Sequence, residues 1–500
     1  MPAPFTAALA VAALAVPSAT LRSPIHHLVV VFQENVSFDH YFATYPEAAN
    51  PPGEPGFHAH PRTPSVNGIP PALVGGAPGA LAPFRLGRAQ AATCDQDHAY
   101  RDEQAAYHAG LLDGFGQFGN QDGSTDGKLS CHRRDVMGYF DGNTVTALWN
   151  YAQHFAMSDA HFGTTFGPST PGALNLVSGN THGATAPEGG VPESELIAGT
   201  VVGDARPFLD DCSPGGGHRA GQIMMAGRTV GDLLDAAGVT WGWFQGGFKP
   251  TGRRADGSAV CDAAHPGSDG LPKDDYVPHH EPFQYFPQGA NPHHLAPTSV
   301  AAIGHLDQAR HQYDLSDFWD AVAIGQLPAV SFLKAPAYQD GHAGYSDPLA
   351  EQRFLVETLN GLQRRPEWRE TAVVIAYDDS DGWYDHVLGP IVRTSATSQD
   401  ALTGAGSCGV SRPGDYQGRC GYGPRLPLLV ISPWARVNFV DHRVTDQSSI
   451  LRFIEDNWGL GRIGDQSADA QASELWPLFD FEGAPRAVLL LDPATGEPLG

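Results

Sequence analysis

Positive charge is scarce in this chain. Only 30 Lys and Arg stand against 55 Asp and Glu, a formal net charge of −25 over 500 residues. Affinity for nucleic acid comes mainly from cationic contacts with phosphates, so a chain this acidic is not a nucleic-acid binder. Small phosphorylated molecules stay open as ligands, because a bound cation supplies positive charge locally. Long apolar runs are also missing. Ala7 to Val16 (AALAVAALAV) is too short to span a bilayer. Followed by Pro17-Ser18-Ala19, it reads as a signal-peptide core with a cleavage point near Ala19, so residues 1–19 are expected to be a leader. No other stretch is a membrane-span candidate. Neither CxxC nor Cys/His finger spacing occurs, which argues against a structural zinc site.

What is present describes a globular, exported chain. Hydrophobic residues make up 41% and charged residues 17%, enough for a sizeable core and too little charge for disorder. The length suits about three ordinary domains, or one large α/β domain with insertions. With 59 Gly and 41 Pro, many ordered turns are expected. The cysteine count is even: Cys94, Cys131, Cys212, Cys261, Cys408 and Cys420. Three disulfides between sequence neighbours (94–131, 212–261, 408–420) are the expectation, and they require an oxidising compartment, periplasmic or extracellular. Six reduced buried thiols are the alternative.

No internal repeat is visible. Four apolar runs read as strands: Ile25 to Phe32, Ala329 to Lys334, Thr371 to Tyr377 and Leu426 to Ser432. Continuous Val/Ile/Leu runs suit strands of a parallel sheet, buried on both faces. Helix-like segments lie between them at Thr144 to Phe155, Thr229 to Ala237, Leu315 to Ile324, Leu349 to Arg364 and Ser448 to Trp458. The alternation predicts an α/β layer fold, with ligands beyond the carboxyl ends of the strands. Two of the runs end in carboxylates at that edge. Residues near 50–90 and 204–298 are rich in Gly, Pro and His, and read as loop-rich, disulfide-braced excursions within a single domain spanning 20–500.

Three segments carry chemistry. Glu34-Asn35, at a strand end, offers a carboxylate and an amide oxygen, donors that suit a hard or borderline cation. Ser37 beside them reads as a helix cap. Asp378-Asp379-Ser380-Asp381-Gly382 puts three acids in four residues after an apolar strand, where they repel one another unless a cation neutralises them. In Gly167-Pro168-Ser169-Thr170-Pro171-Gly172-Ala173-Leu174-Asn175, Thr170 reads as an N-cap and Pro171 as the first helical residue. Ser169 then stands at a helix entrance, which favours anions. Among 22 histidines, His98, His280 and His342 sit in turn-like contexts. Each feature taken alone has a bland reading as a cap, turn or surface group.

Together they resemble a known family. Glu34-Asn35-Val36-Ser37-Phe38-Asp39-His40-Tyr41-Phe42 resembles the ENxSFDHYF signature of the bacterial and plant phosphoesterases. That family contains non-haemolytic phospholipases C and exported bacterial acid phosphatases. The resemblance runs from about Pro24 to Gly461, and Val444 to Glu455 (VTDQSSILRFIE) is similar to the family's late helix. It implies an alkaline-phosphatase-like three-layer core, with a mostly parallel sheet flanked by helices. It also implies Ser169 as nucleophile, and Glu34, Asn35, Ser169, Asp378 and Asp379 as ligands of one divalent metal ion. His98, His280 and His342 would hold phosphate oxygens or assist the leaving group. Pro-Ser-Thr-Pro-Gly-Ala-Leu-Asn and Tyr-Asp-Asp-Ser-Asp-Gly resemble the acid phosphatase branch. Phospholipases C of the family carry Thr-x-Pro-Asn-Arg, whereas this chain has Gly172-Ala173 in place of Asn-Arg. The larger ones add a C-terminal β region, for which little chain remains after Trp476. The expected activity is that of an exported phosphomonoesterase working through a phosphoserine, with small phosphorylated substrates. Phospholipase C action on lipid head groups is the alternative, and an inactive phosphoester-binding protein a second.

Overall fold

The computed structural model describes residues 21–74, 81–118, 123–213 and 220–500. The expected leader in residues 1–19 lies outside the described residues. Nine strands form the main sheet: β1 (His27–Gln33), β2 (Ala156–Phe162), β3 (Trp241–Gln245), β4 (Gln312–Asp314), β5 (Val330–Lys334), β6 (Thr371–Tyr377), β7 (Arg425–Ile431), β8 (Phe439–Asp441) and β9 (Thr445–Asp446). Their spatial order is β4-β3-β5-β1-β6-β7-β2-β8, with β9 also on β2. All four predicted runs are strands of this sheet. Residues of β6 and β7 are buried throughout, as a sheet covered on both faces requires.

One direction differs from expectation. β7 runs antiparallel to both β6 and β2, while the other pairings in the sheet are parallel. An apolar run reports burial on two faces and carries no information about direction. The long connection after β6 stays at the edge where β6 ends, so β7 enters from there.

Eight helices matter for the site: α1 (Phe38–Phe42), α2 (Tyr100–Tyr107), α3 (Thr146–His154), α4 (Ser169–Ser178), α5 (Val230–Ala237), α6 (Leu315–Ala323), α7 (Pro348–Gln363) and α8 (Gln447–Trp458). Helices α4, α5 and α8 pack on one another, as do α3 and α7, and both groups flank the sheet. The termini follow local chemistry. The Asp347 side chain accepts from the N–H groups of Leu349 and Ala350, with Pro348 opening α7. Gly179, at φ +60°, closes α4 in a left-handed conformation that costs glycine little. One large core cluster draws buried side chains from Ile25 to Leu491.

The three disulfides pair as expected: Cys94–Cys131, Cys212–Cys261 and Cys408–Cys420. The excursions need correction. Residues 50–90 contain no disulfide; they are tied down by Arg85, which bonds Glu54 and Asp141, and by burial of Phe57, Ile69 and Leu86. Within 204–298, β3 is a full strand of the main sheet. Its aromatic composition (Trp-Gly-Trp-Phe-Gln) hid it from a search for aliphatic runs. Among the described residues no helix is long and apolar enough to cross a membrane.

Candidate functional site

The site starts from strand register. β1 and β6 are parallel neighbours with Gln33 opposite Tyr377, so the residues that follow, Glu34-Asn35 and Asp378-Asp379, leave the sheet side by side. Backbone bonds lock the two turns together: Val36 N–H donates to the Asp379 carbonyl, and Asn35 N–H to Asp378 Oδ1 at 3.0 Å. Asn35 adopts φ +58°, a left-handed conformation that Asn tolerates better than most residues. Its amide orientation is set by Asp381 Oδ1, which accepts from Asn35 Nδ2 at 3.1 Å and leaves Oδ1 facing Ser169.

Ser169 arrives from the carboxyl end of β2, two strands along from β6 at the same sheet edge. Gly167, at φ +115°, turns the chain after β2, and its N–H donates to Glu103 Oε2 at 3.1 Å. The helix begins two residues earlier than expected. Pro168 occupies the cap position and Ser169 is the first helical residue. Thr170 is therefore not the N-cap. Its N–H is taken by Asp204 Oδ1 at 2.9 Å, and its hydroxyl lies 3.4 Å from the Tyr285 hydroxyl. An aspartate reaching from elsewhere in the chain replaces the local cap, which a local motif cannot reveal. Helix α4 also rests directly on the acidic turn: a Cβ built at Gly172 would lie 2.3 Å from the Asp378 carbonyl oxygen.

These placements bring the ligand-type oxygens to one point. Ser169 Oγ lies 3.0 Å from Glu34 Oε2, 3.2 Å from Asp379 Oδ2 and 3.5 Å from Asn35 Oδ1. A hydroxyl has one hydrogen to donate, yet three acceptor oxygens converge on it. Asp378 adjoins through its bonds to the N–H groups of Asn35 and Asp379. Such an oxygen-rich, acidic donor set fits a hard divalent cation. The titration behaviour agrees. Burial, then Asp378, pushes both the Glu34 and Asp379 carboxyls well above the usual range. Burial and Asp95 do the same for Asp381.

The predicted histidines surround this point on two sides. His280 Nδ1 lies 3.1 Å from Glu34 Oε1. His98 Nε2 lies 3.3 Å from Asn35 Nδ2, while its Nδ1 donates to the Gln96 carbonyl at 2.8 Å. The His342 ring sits edge-on to His98, with centroids 6.0 Å apart. Burial opposes charge on all three. At His98, Asp379, Asp95 and Asp381 outweigh it and raise the pKa well above normal. His280 and His342 are lowered by burial, and further by His279 and His98 respectively.

Lys334 was not among the predicted site residues. The last residue of β5, it is 1% exposed, directly contacts Glu34 Oε1 and lies 3.6 Å from Asp378 Oδ2. Burial works against its charge, but Glu34 and Asp378 outweigh that and raise its pKa. Its sequence signal was a cation at a strand's carboxyl end. Glu103 gave no such signal: it accepts from both Gly167 and Ser380, and burial raises its carboxyl to about 7. In the late helix, Gln447 accepts from Thr164 N–H and donates to the carbonyls of Tyr377 and Asp378, joining the serine loop to the acidic turn. The remaining signature residues build a separate support. Buried Arg425 binds Asp39 at 2.9 Å and Asp385 at 3.1 Å, and His386 bonds Asp39.

Comparison with known proteins places this geometry in context. The non-haemolytic phospholipase C of Pseudomonas aeruginosa is 26% identical over 90% of this chain and 56% of its own length. Its counterpart in Burkholderia pseudomallei is 28% identical over 89% of this chain and 57% of its own. Phospholipase C B of Mycobacterium tuberculosis is 26% identical over 92% of this chain and 78% of its own. The chain thus spans little more than half the length of the first two. Among solved structures, a protein of the alkaline phosphatase superfamily from Vibrio parahaemolyticus gives a TM-score of 0.28 at 12% identity, covering 63% of this chain and 62% of that one. The sequence profile of the Phosphoesterase family matches residues 25–461. On that match over most of its length, the chain belongs to the phosphoesterase family.

Proposed function

We propose that this protein is an exported, metal-dependent hydrolase of phosphomonoesters with Ser169 as its nucleophile. One observation carries the reading: the convergence of Glu34, Asn35 and Asp379 oxygens within 3.0–3.5 Å of Ser169 Oγ. Glu34, Asn35, Ser169, Asp378 and Asp379 would hold one divalent cation. Bound there, such a cation lowers the pKa of a coordinated hydroxyl and offsets charge on phosphoryl oxygens. The serine oxygen attacks phosphorus in line with the leaving alcohol, its proton passing to a neighbouring carboxylate. The phosphoserine is then hydrolysed by water. His98, His280 and His342 supply ring nitrogens around the oxygens that gain charge. The three disulfides fit an oxidising compartment, which supports a periplasmic or extracellular location.

Phospholipase C action is the second reading, supported by the relatives named above. Gly172-Ala173 favours the monoesterase, because the Asn-Arg pair of the lipases is absent here and Gly172 packs against Asp378 with no room for a side chain. The test is a panel of p-nitrophenyl phosphate, a phosphodiester and phosphatidylcholine, each with and without a chelator. Phosphate released from the monoester, lost on chelation and lost in Ser169→Ala with the fold retained, is the expected result. Phosphocholine as the main product would favour the lipase. Undiminished turnover by Ser169→Ala would reject the nucleophile.

A further inference from the structure

A cluster of positive charge lies away from Ser169, at the opposite end of α4. A cavity of about 220 Å³ there is lined by Arg393, Arg412 and Arg419, together with Asp415, Tyr416 and Ser467. Ser467 bonds the carbonyl of Ser178, the last residue of α4, and Arg419 bonds that of Gly179, its cap. Helix α4 has 10 residues, so about 15 Å of helix separates this cavity from the serine.

Three guanidinium groups around one cavity are unexpected in a chain of net charge −25. Elsewhere Arg85, Arg425, Arg443, Arg462 and Arg486 each pair with a carboxylate. Among the described residues, none of the three cavity arginines does. Arg419, 4% exposed, spends its terminal nitrogens on the carbonyls of Gln466 at 3.0 Å and Gly179 at 2.8 Å. Its Nε–H is buried without an acceptor among the described residues. Burial and then Arg393 push this guanidinium down to about 9. Arg393 donates to the Thr164 carbonyl and lies over the Tyr422 ring.

Helix capping accounts for Arg419, and cation–π contact for Arg393. Neither accounts for Arg412, which lines the cavity and whose side chain makes no hydrogen bond or ion pair among the described residues, nor for the orphaned N–H. Asp415 lines the cavity and Asp465 acts on Arg419, but neither forms an ion pair with the three, and like charges gathered around a cavity destabilise the fold unless something opposite neutralises them. Guanidinium forks match the oxygens of phosphate-type anions better than any other side chain does. The volume lies below the roughly 300–1,000 Å³ of sites for drug-sized ligands, so a small anion suits it and a nucleotide does not.

We propose that this cavity is a second anion site, in which Arg393, Arg412 and Arg419 bind a free tetrahedral oxyanion of the inorganic phosphate type. The site is independent of the Ser169 chemistry, so the proposal stands or falls separately from the proposed activity.

The test is calorimetric titration of the full chain with inorganic phosphate, in the wild type, Ser169→Ala, Arg412→Ala and Arg412→Glu. Arg412 is exposed and its one bond in the fold, from the Asp415 N–H to its carbonyl, is made by the backbone, so replacing its side chain leaves the unfolding midpoint in place. The expected result is a phosphate isotherm that persists in Ser169→Ala, weakens in Arg412→Ala and weakens at least about tenfold in Arg412→Glu, matching loss of a charge-assisted contact. Phosphate should also raise the unfolding midpoint of Ser169→Ala and fail to raise that of Ser169→Ala/Arg412→Glu. Identical isotherms for wild type and Arg412→Glu would overturn the proposal, as would the absence of phosphate binding in Ser169→Ala.

Discussion

Two residues decide how tightly the acidic turn is held. Gly172 is the point where α4 meets the Asp378 backbone, and even one methyl group there overlaps a carbonyl oxygen. Gly172→Ala must push the helix, and Ser169 with it, away from the carboxylates. Displacements of about 1 Å at a reacting group cost about 10²-fold in rate. Turnover of a chromogenic monoester by Gly172→Ala is therefore expected to fall by about that factor, with the far-UV spectrum unchanged; wild-type turnover would show that the contact is slack. Lys334 acts through charge. Removing one member of a buried ion pair costs about 3–5 kcal/mol, because the partner is left uncompensated. Lys334→Met should lose about that much in denaturant unfolding with a chelator present, and less when a divalent cation is added. An equal loss in both conditions would show that no cation shares this charge. The sequence made Ser169, Glu34, Asn35, Asp378 and Asp379 stand out as candidates because each sits in a dense local motif. Lys334 is one cation at the end of an ordinary strand, and only the register of β5 beside β1 brings it to Glu34.

Elements were legible where burial leaves a local pattern. β6 was read with its observed bounds because every residue from Thr371 to Tyr377 is buried in the sheet. β2 escaped notice because its core residues are interrupted by Ser158, Asp159 and His161, each of whose side chains finds a partner in a distant segment. The direction of β7 and the Asp204 cap on α4 were invisible for the same reason: both are set by chain that returns from far away. Gln447 shows how one element can join two others. From the first position of α8 it satisfies a donor on the serine loop and two carbonyls at the end of β6. Gln447→Leu keeps the volume and strands those groups in a buried setting. Each unsatisfied group costs about 1–3 kcal/mol, so a loss of about 2–4 kcal/mol is expected after partial relaxation. Chemical unfolding measures it, and a loss under about 1 kcal/mol would mean that water replaces the amide.

At the scale of the whole molecule, buried histidines set a limit on the acid side. His40 is sandwiched against Trp383, with ring centroids 3.9 Å apart, and its Nδ1 donates to the Gly138 carbonyl. His161 lies inside the sheet with Nδ1 at 3.0 Å from Thr445 Oγ1. Burial lowers both to about 3. The unfolded chain takes up a proton at each near pH 6.5, whereas the folded chain refuses it until about pH 3. Their contribution is thus complete above pH 6.5 and is lost as pH falls towards 3. Each histidine steepens the decline by about 1.4 kcal/mol per pH unit within that window. Buried carboxyls with raised values, such as Glu351 at about 7, act in the opposite sense, so total stability mixes the two. A difference measurement isolates one histidine. His161→Gln retains a polar group beside Thr445 and removes the titration. Its stability between pH 6 and pH 4 should therefore decline less steeply than that of the wild type, by about 1.4 kcal/mol per pH unit, when both are unfolded in urea at several pH values. Parallel declines would mean that His161 takes up its proton in the folded state. The buried ring would then have to accommodate a charge inside the sheet, next to a threonine hydroxyl and with no carboxylate among its hydrogen-bond partners.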